Sequence, residues 1–177
     1  TIGIRNDLVG KTTYEFPKPH DYKPVLRDVL LDCPEGPGVQ YGEKKKKIFE
    51  LVPAGGYWRD IDPEIAKEYM KSCWNMEGGR TGILRRMSLD EPCLTVLTSP
   101  SQKQTERCHP LEARPFTVRE NARCQMFPDE WEFCGTVASQ YKQVGNAVPV
   151  GLAFDVAKEI HKSLDNLDKA EVNLEEE

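Results

Sequence analysis

The chain has little that would hold it in a membrane or around a metal ion. No run among its 177 residues approaches the ~18 consecutive apolar residues of a spanning helix, and no secretory leader pattern is visible. No membrane partner is expected. Its six cysteines, at 33, 73, 93, 108, 124 and 134, include no Cys-x-x-Cys pair, and Cys108-His109 stands without further ligands at useful spacing. That excludes a zinc site by its spacing, and reduced thiols of this kind fit a cytoplasmic protein. No internal repeat is present. Positive charge is not in excess either: 24 Lys and Arg face 29 Asp and Glu, a net −5 that taken alone argues against nucleic acid.

The charge is unevenly placed. After Leu164, six acids (Asp165, Asp168, Glu171, Glu175, Glu176, Glu177) face Lys169 alone, so this tail carries the whole −5 and reads as disordered. Residues 80–125 hold eight basic against five acidic side chains, a local +3. Phosphate binding depends on such local placement, not on the chain total.

Along the chain, residues 1–5 read as a strand end, apolar at Ile2 and Ile4, which would leave an edge needing a partner. Residues 24–31 have the helical spacing of Val25, Leu26, Val29 and Leu30. The four lysines 44–47 read as a solvated turn, with a nonspecific phosphate contact as the alternative. Asp62-Pro63 is an N-cap followed by proline at the first helical position, and Ile65, Tyr69, Met70 and Cys73 supply an apolar face. Residues 84–87 and 93–98 read as strands joined by a turn at 88–92. Thr117 and Glu120 form a capping box ahead of a short helix. Val148, Leu152, Val156, Ile160 and Leu164 make an apolar stripe on a last helix.

The stretch Gln140-Tyr141-Lys142-Gln143-Val144-Gly145-Asn146-Ala147-Val148-Pro149 reads as a loop turning into a helix, with Gly145 at a conformation other residues resist and Asn146 as N-cap. Its free amides suit a ligand, although taken alone the residues are better explained by an ordinary capped helix.

This stretch resembles the last conserved block, Gln-x-x-Gly-Asn-(Ala/Ser)-Val, of the DNA (cytosine-5)-methyltransferases. Arg119-Glu120-Asn121-Ala122-Arg123-Cys124-Gln125-Met126-Phe127-Pro128-Asp129 is similar to the block that precedes it in the family. Thr1 to Leu8 and Phe16-Pro17-Lys18-Pro19 resemble the end of the block that closes the catalytic domain. The family's glycine-rich cofactor loop, its catalytic Pro-Cys pair and its Glu-Asn-Val segment have no counterpart. Pro92-Cys93 has the right order in the wrong context, Glu91-Pro92-Cys93-Leu94.

The resemblance implies an α/β fold: a small β-rich target-recognition domain plus the C-terminal elements of a Rossmann-like methyltransferase domain. Residues 1–19 would end a catalytic-domain strand and its connection, 20–115 would form the recognition domain, 116–163 would return to the catalytic domain, and 164–177 would be the tail. S-adenosyl-L-methionine would meet Asn146 and Ala147. Double-stranded DNA would meet Arg80, Arg85, Arg86, Thr95, Ser99, Gln102 and Lys103, since Arg reads guanine, Gln reads adenine, and Thr95-Val96 matches the family's Thr-(Leu/Val) pair. Arg119, Glu120 and Arg123 would form an organising ion network.

In the whole enzyme a cysteine thiolate attacks C6 of the cytosine and C5 takes the methyl group. No catalytic residue is expected in this chain, so activity would require an N-terminal catalytic half, on the same protein or a separate subunit. Restriction-modification in a bacterial cytoplasm is the implied setting. The competing expectation is a sequence-specific DNA-binding module without catalysis.

Overall fold

The computed structural model describes residues 1–100 and 102–175, with side chains described through Leu167 except Ser101. Two compact units result: Lys23–Ala147, and a second formed by Thr1–Tyr22 with Val148–Glu177.

Among its described residues the larger unit carries five α-helices. α1 is Arg27–Leu30, α2 is Glu43–Leu51, α3 is Pro63–Met70, α4 is Val118–Cys124 and α5 is Val137–Asn146. Local sequence explains most of their starts. The Asp62 carboxylate accepts from the amides of Glu64 (2.8 Å) and Ile65 (3.3 Å), with Pro63 at the first helical position. Thr117 and Glu120 close a reciprocal capping box at α4. Thr136 accepts from Ser139 at the start of α5.

Three apolar clusters hold this unit. The first gathers Phe49 of α2, stacked on Tyr41 at 4.7 Å, with Trp58, Ala66, Met70, Ile83 and Leu84. The second joins Leu26 and Leu30 to Met87 and Phe116. The third joins α4 to α5 through Val118, Ala122, Tyr141 and Val144. Fully burying an apolar side chain of this size stabilises by ~1.5–3 kcal/mol.

The expected α/β architecture with a β-rich recognition domain is not what forms: among the described residues there are helices and three isolated bridges, and no strand. Residues 1–5 form no strand. The hairpin predicted over 84–87 and 93–98 is also absent. Leu84 sits at φ +51° and breaks the extension. Residues 85–87 pair instead with remote backbone: Met87 N–H donates to Cys108, Cys108 N–H to Arg85, and Arg86 N–H to Gly56. Prolines 53, 92, 100, 110 and 115 remove donors along these segments, so bridges do not extend into ladders.

The four lysines are also not a turn. They lie in α2, where Lys45 pairs with the buried Glu106 (2.6 Å) and covers the Tyr41 ring at 4.5 Å.

In the smaller unit, α6 (Val150–Glu175) is tied to residues 12–20. Thr12 donates to the Ser163 carbonyl (2.7 Å), Ser163 Oγ donates to the Thr13 carbonyl (2.9 Å), and His20 Nε2 meets Asp155 at 2.7 Å. The helix continues through the acidic residues predicted to be disordered; Glu176 and Glu177, and all side chains after Leu167, lie outside the described residues. Much of the apolar stripe faces solvent: Val148, Leu152, Ile160 and Leu164 are exposed, as are Val150 and Phe154 outside the stripe.

Candidate functional site

The 119–129 block and the 140–149 block fold against each other as α4 and α5. A single side chain locks the join. The Gln125 carboxamide donates to the carbonyls of Val144 (3.1 Å) and Ala147 (3.0 Å), which closes the C-terminal end of α5. Gln125 is buried. In the sequence it is legible only as part of a motif, because its two acceptors lie about twenty residues away.

This geometry corrects the reading of the last block. Asn146 is not an N-cap; it is the last residue of α5, and Ala147 follows as C-cap. Gly145 is not needed for a left-handed turn. It lies within the helix, where a Cβ would stand 2.5 Å from the Thr98 nitrogen and 2.6 Å from the Leu97 carbonyl carbon. Its bare face lets residues 97–98 lie directly against α5.

Asn146 is exposed and its side chain has no hydrogen bond among the described residues. Ala147 is half-buried and both its backbone polar groups are engaged, the amide to Val144 (3.2 Å) and the carbonyl to Gln125. A free carboxamide on a fixed helix end suits the polar edge of a cofactor. The Ala147 amide is not available for that purpose.

The ion network differs from the expected one. Arg114, which the sequence did not single out, grips Glu120 through two hydrogen bonds of 2.8 Å. Glu120 also accepts from the Thr117 amide (2.7 Å). Burial alone would raise its carboxyl, but Arg114, Thr117 and His109 together hold it below the usual carboxylate range. Arg123 bonds Asp129, Asp32 and the Val29 carbonyl, while Arg119 donates to the carbonyls of Pro128 and Trp131. These are architectural contacts.

His109 lies beside this pair, its Nε2 3.6 Å from Glu120, and Leu111 N–H donates to its Nδ1. Burial depresses its pKa below the ordinary 6.5; Glu120 opposes that and Arg114 adds to it. Between pH 6.5 and the lower folded value, the unfolded chain therefore binds a proton that the folded chain refuses. Stability is expected to fall as pH drops through this window. Thermal unfolding at pH 7.5 and 5.5 checks it: the acid loss should be smaller in His109→Gln, and an equal loss in both proteins would refute the assignment.

The expected DNA contacts separate into two groups. Arg86 donates to the carbonyls of Phe49, Val52 and Pro110, and closes the end of α2. Lys103 donates to the Tyr69 and Met70 carbonyls at the end of α3. Arg80 donates to the Trp74 carbonyl and lies over the Trp58 ring. These side chains hold the fold. Arg85 makes only a long contact to Glu91 (3.5 Å) and lies over Tyr57. Thr95, Ser99 and Gln102 are exposed, and Thr95 and Ser99 line one small cavity with Arg107 and Asn121.

No group of three or more potential metal ligands occurs among the described residues. Burial pushes the Cys33 thiol up to about 11 and the Cys108 thiol up to about 12. A hydrogen bond with Cys93, aided by burial, raises Cys124. These three thiols are poor nucleophiles at neutral pH.

The family model described as C-5 cytosine-specific DNA methylase matches residues 1–162. The chain is 56% identical over 161 residues to the type II methyltransferase M.Sau96I of Staphylococcus aureus, covering 90% of this chain and 37% of that protein. It is 49% identical over 175 residues to M.Eco47II of Escherichia coli, covering 95% and 42%. It is 51% identical over 170 residues to M.PspPI of Psychrobacter sp. (strain TA137), covering 92% and 41%. The chain thus spans roughly two fifths of the length of these curated relatives.

Proposed function

The chain belongs to the C-5 cytosine-specific DNA methylase family, and from that premise we propose that it is the DNA-recognition and cofactor-pocket-completing part of a type II DNA cytosine-5 methyltransferase. Its work is to bind a specific duplex site and to complete one wall of the S-adenosyl-L-methionine pocket. The observation that carries this reading is the Gln125 clamp. It joins the family's last two blocks and presents the free Asn146 carboxamide on a rigid helix end.

S-adenosyl-L-methionine supplies the methyl group in this reaction. Asn146 would bind its polar edge, and Gln125 and Gly145 position Asn146. The nucleophile and the remaining pocket come from an N-terminal catalytic portion of the methyltransferase. Two observations support that division. The chain matches about two fifths of its relatives, and the thiols of Cys33 and Cys108 are held protonated by burial. The exposed Leu152, Phe154 and Leu164 on α6 are the apolar surface offered to that portion. The reading places the protein in a bacterial cytoplasm, in a restriction-modification setting.

The test is methyl transfer from labelled S-adenosyl-L-methionine to unmethylated duplex DNA, by this chain alone and together with the N-terminal portion. Activity in the mixture only is the expected result, and Asn146→Ala should raise KM for the cofactor in that mixture. Activity of the chain alone would overturn the proposed division of labour. An inactive mixture that still binds duplex DNA would favour a binding module without catalysis.

A further inference from the structure

Arg107 has no residue-type signal of its own in the sequence, yet its guanidinium is poorly partnered in the larger unit. Among the described residues its one hydrogen bond is from Nη1 to the carbonyl of its neighbour Glu106, and its Nε is buried without a partner. The Glu106 carboxylate does not serve it, being engaged by Tyr69, the Leu84 amide and Lys45. Arg107 lines an open cleft of about 340 Å³ together with Arg80, Gly82, Gln104 and Thr105, and no carboxylate lines that cleft. Two further donors of these residues, Arg80 Nε and Thr105 Oγ1, are also buried and unpartnered. Burial lowers the Arg107 pKa, with Cys93 opposing and Arg85 adding a smaller lowering.

The cleft is built and not incidental. The Glu106 amide donates to the Gly82 carbonyl at 2.8 Å. A Cβ on Gly82 would stand 2.3 Å from the Gln104 carbonyl oxygen, so only glycine lets the two segments lie together. Arg80, at φ +51°, is held in place by the Trp74 carbonyl and the Trp58 ring.

We propose that Arg107, with Thr105 and Arg80 around the Gly82 backbone, forms a phosphate-binding site, and that its ligand is a phosphodiester of the DNA that the chain recognises. That the ligand is DNA rests on the proposed function. The chemistry is that of a tetrahedral oxyanion: two guanidinium groups and a hydroxyl, with no competing acid. The DNA assignment follows from continuity. Leu94, Thr105 and Arg107 line both this cleft and the adjoining cavity that holds Thr95 and Ser99. A strand lying past Thr95 would therefore carry its phosphate to Arg107.

The experiment measures binding of a labelled unmethylated duplex against potassium chloride concentration, in the whole methyltransferase that carries this chain. Wild type is compared with Arg107→Gln and Thr105→Val, each checked for folding by its unfolding curve. Arg107→Gln should weaken binding about five- to tenfold and reduce the slope of log K against log salt by about 0.9, as loss of one phosphate contact does. Thr105→Val should weaken binding with the slope unchanged, because it removes a neutral donor. A merely structural role would move the unfolding curve and leave the salt slope alone; an unchanged slope in Arg107→Gln overturns the DNA assignment.

A second arm titrates inorganic phosphate and follows thermal unfolding of the same proteins. Phosphate that stabilises wild type but not Arg107→Gln, with an unchanged DNA slope, would assign the site to free phosphate. If wild type fails to bind the duplex while this difference persists, the DNA reading fails and the phosphate site stands. No response to Arg107→Gln in either arm overturns the site itself.

Discussion

Gly145→Ala is expected to destabilise the larger unit by on the order of 1–3 kcal/mol through overpacking, although glycine to alanine within a helix ordinarily stabilises by ~0.5–1 kcal/mol. Gly145 lies in α5, and the new methyl group would stand 2.5 Å from the Thr98 nitrogen, 2.6 Å from the Leu97 carbonyl carbon and 2.7 Å from its oxygen. All three are backbone atoms, so no rotamer change relieves the contact. Residues 97–98 must move away from the helix, carrying with them the segment that holds Thr95. Urea unfolding of wild type and variant decides the matter. An equal or higher midpoint in Gly145→Ala would show that the close approach does not govern this position.

The second large effect belongs to Arg114→Met. It removes the guanidinium and leaves Glu120, whose side chain is 8% exposed, as a charge without its main partner. Breaking a buried pair from one side costs about 3–5 kcal/mol, far more than the pair contributes net. Its pH dependence is distinctive. In the wild type the Glu120 carboxyl is held below its ordinary 4.5, so its stabilisation is present above that value and is lost as pH falls through the folded pKa. Without Arg114, burial dominates and raises the carboxyl instead, so the variant's deficit should shrink toward acid as Glu120 takes a proton. Adding Glu120→Gln to Arg114→Met should recover part of the loss at pH 7. Unfolding free energies for the two variants at pH 5 and 7 test both statements, and a deficit that does not depend on pH would exclude the buried-charge explanation.

Both effects arise from positions whose role the sequence announced only in part. Gly145 was legible as a glycine with a purpose, and the purpose inferred was a turn. The real one is a contact with residues nearly fifty positions away, which no local rule reports. Glu120 was legible as the far half of a capping box, because Thr117 and Glu120 stand at the required spacing. That its carboxylate also holds Arg114 depends on how residues 109–116 return to α4. The arginines show the same division. Residue type marked Arg80, Arg85 and Arg86 as possible readers of DNA, but Arg86 closes the end of α2 and Arg80 is stacked on Trp58. Arg107, with its unpartnered Nε, was invisible until its surroundings were known.

By itself the sequence determined what short-range chemistry can encode. The capped starts of α3 and α4 follow from Asp62-Pro63 and Thr117-x-x-Glu120, the last helix follows from its apolar spacing, and the family follows from three blocks in order along the chain. The tertiary structure decided the rest, because it depends on partners distant along the chain. Segments 84–87 and 93–98 have strand-like composition, yet strands form only where a neighbour offers a continuous row of donors and acceptors. Here prolines interrupt the neighbours and Leu84 turns the chain, so single bridges form and helices carry the architecture. Whether a polar side chain meets solvent, a ligand or a carbonyl is likewise set by which backbone groups lie unsatisfied beside it, and that is known only once the chain has folded.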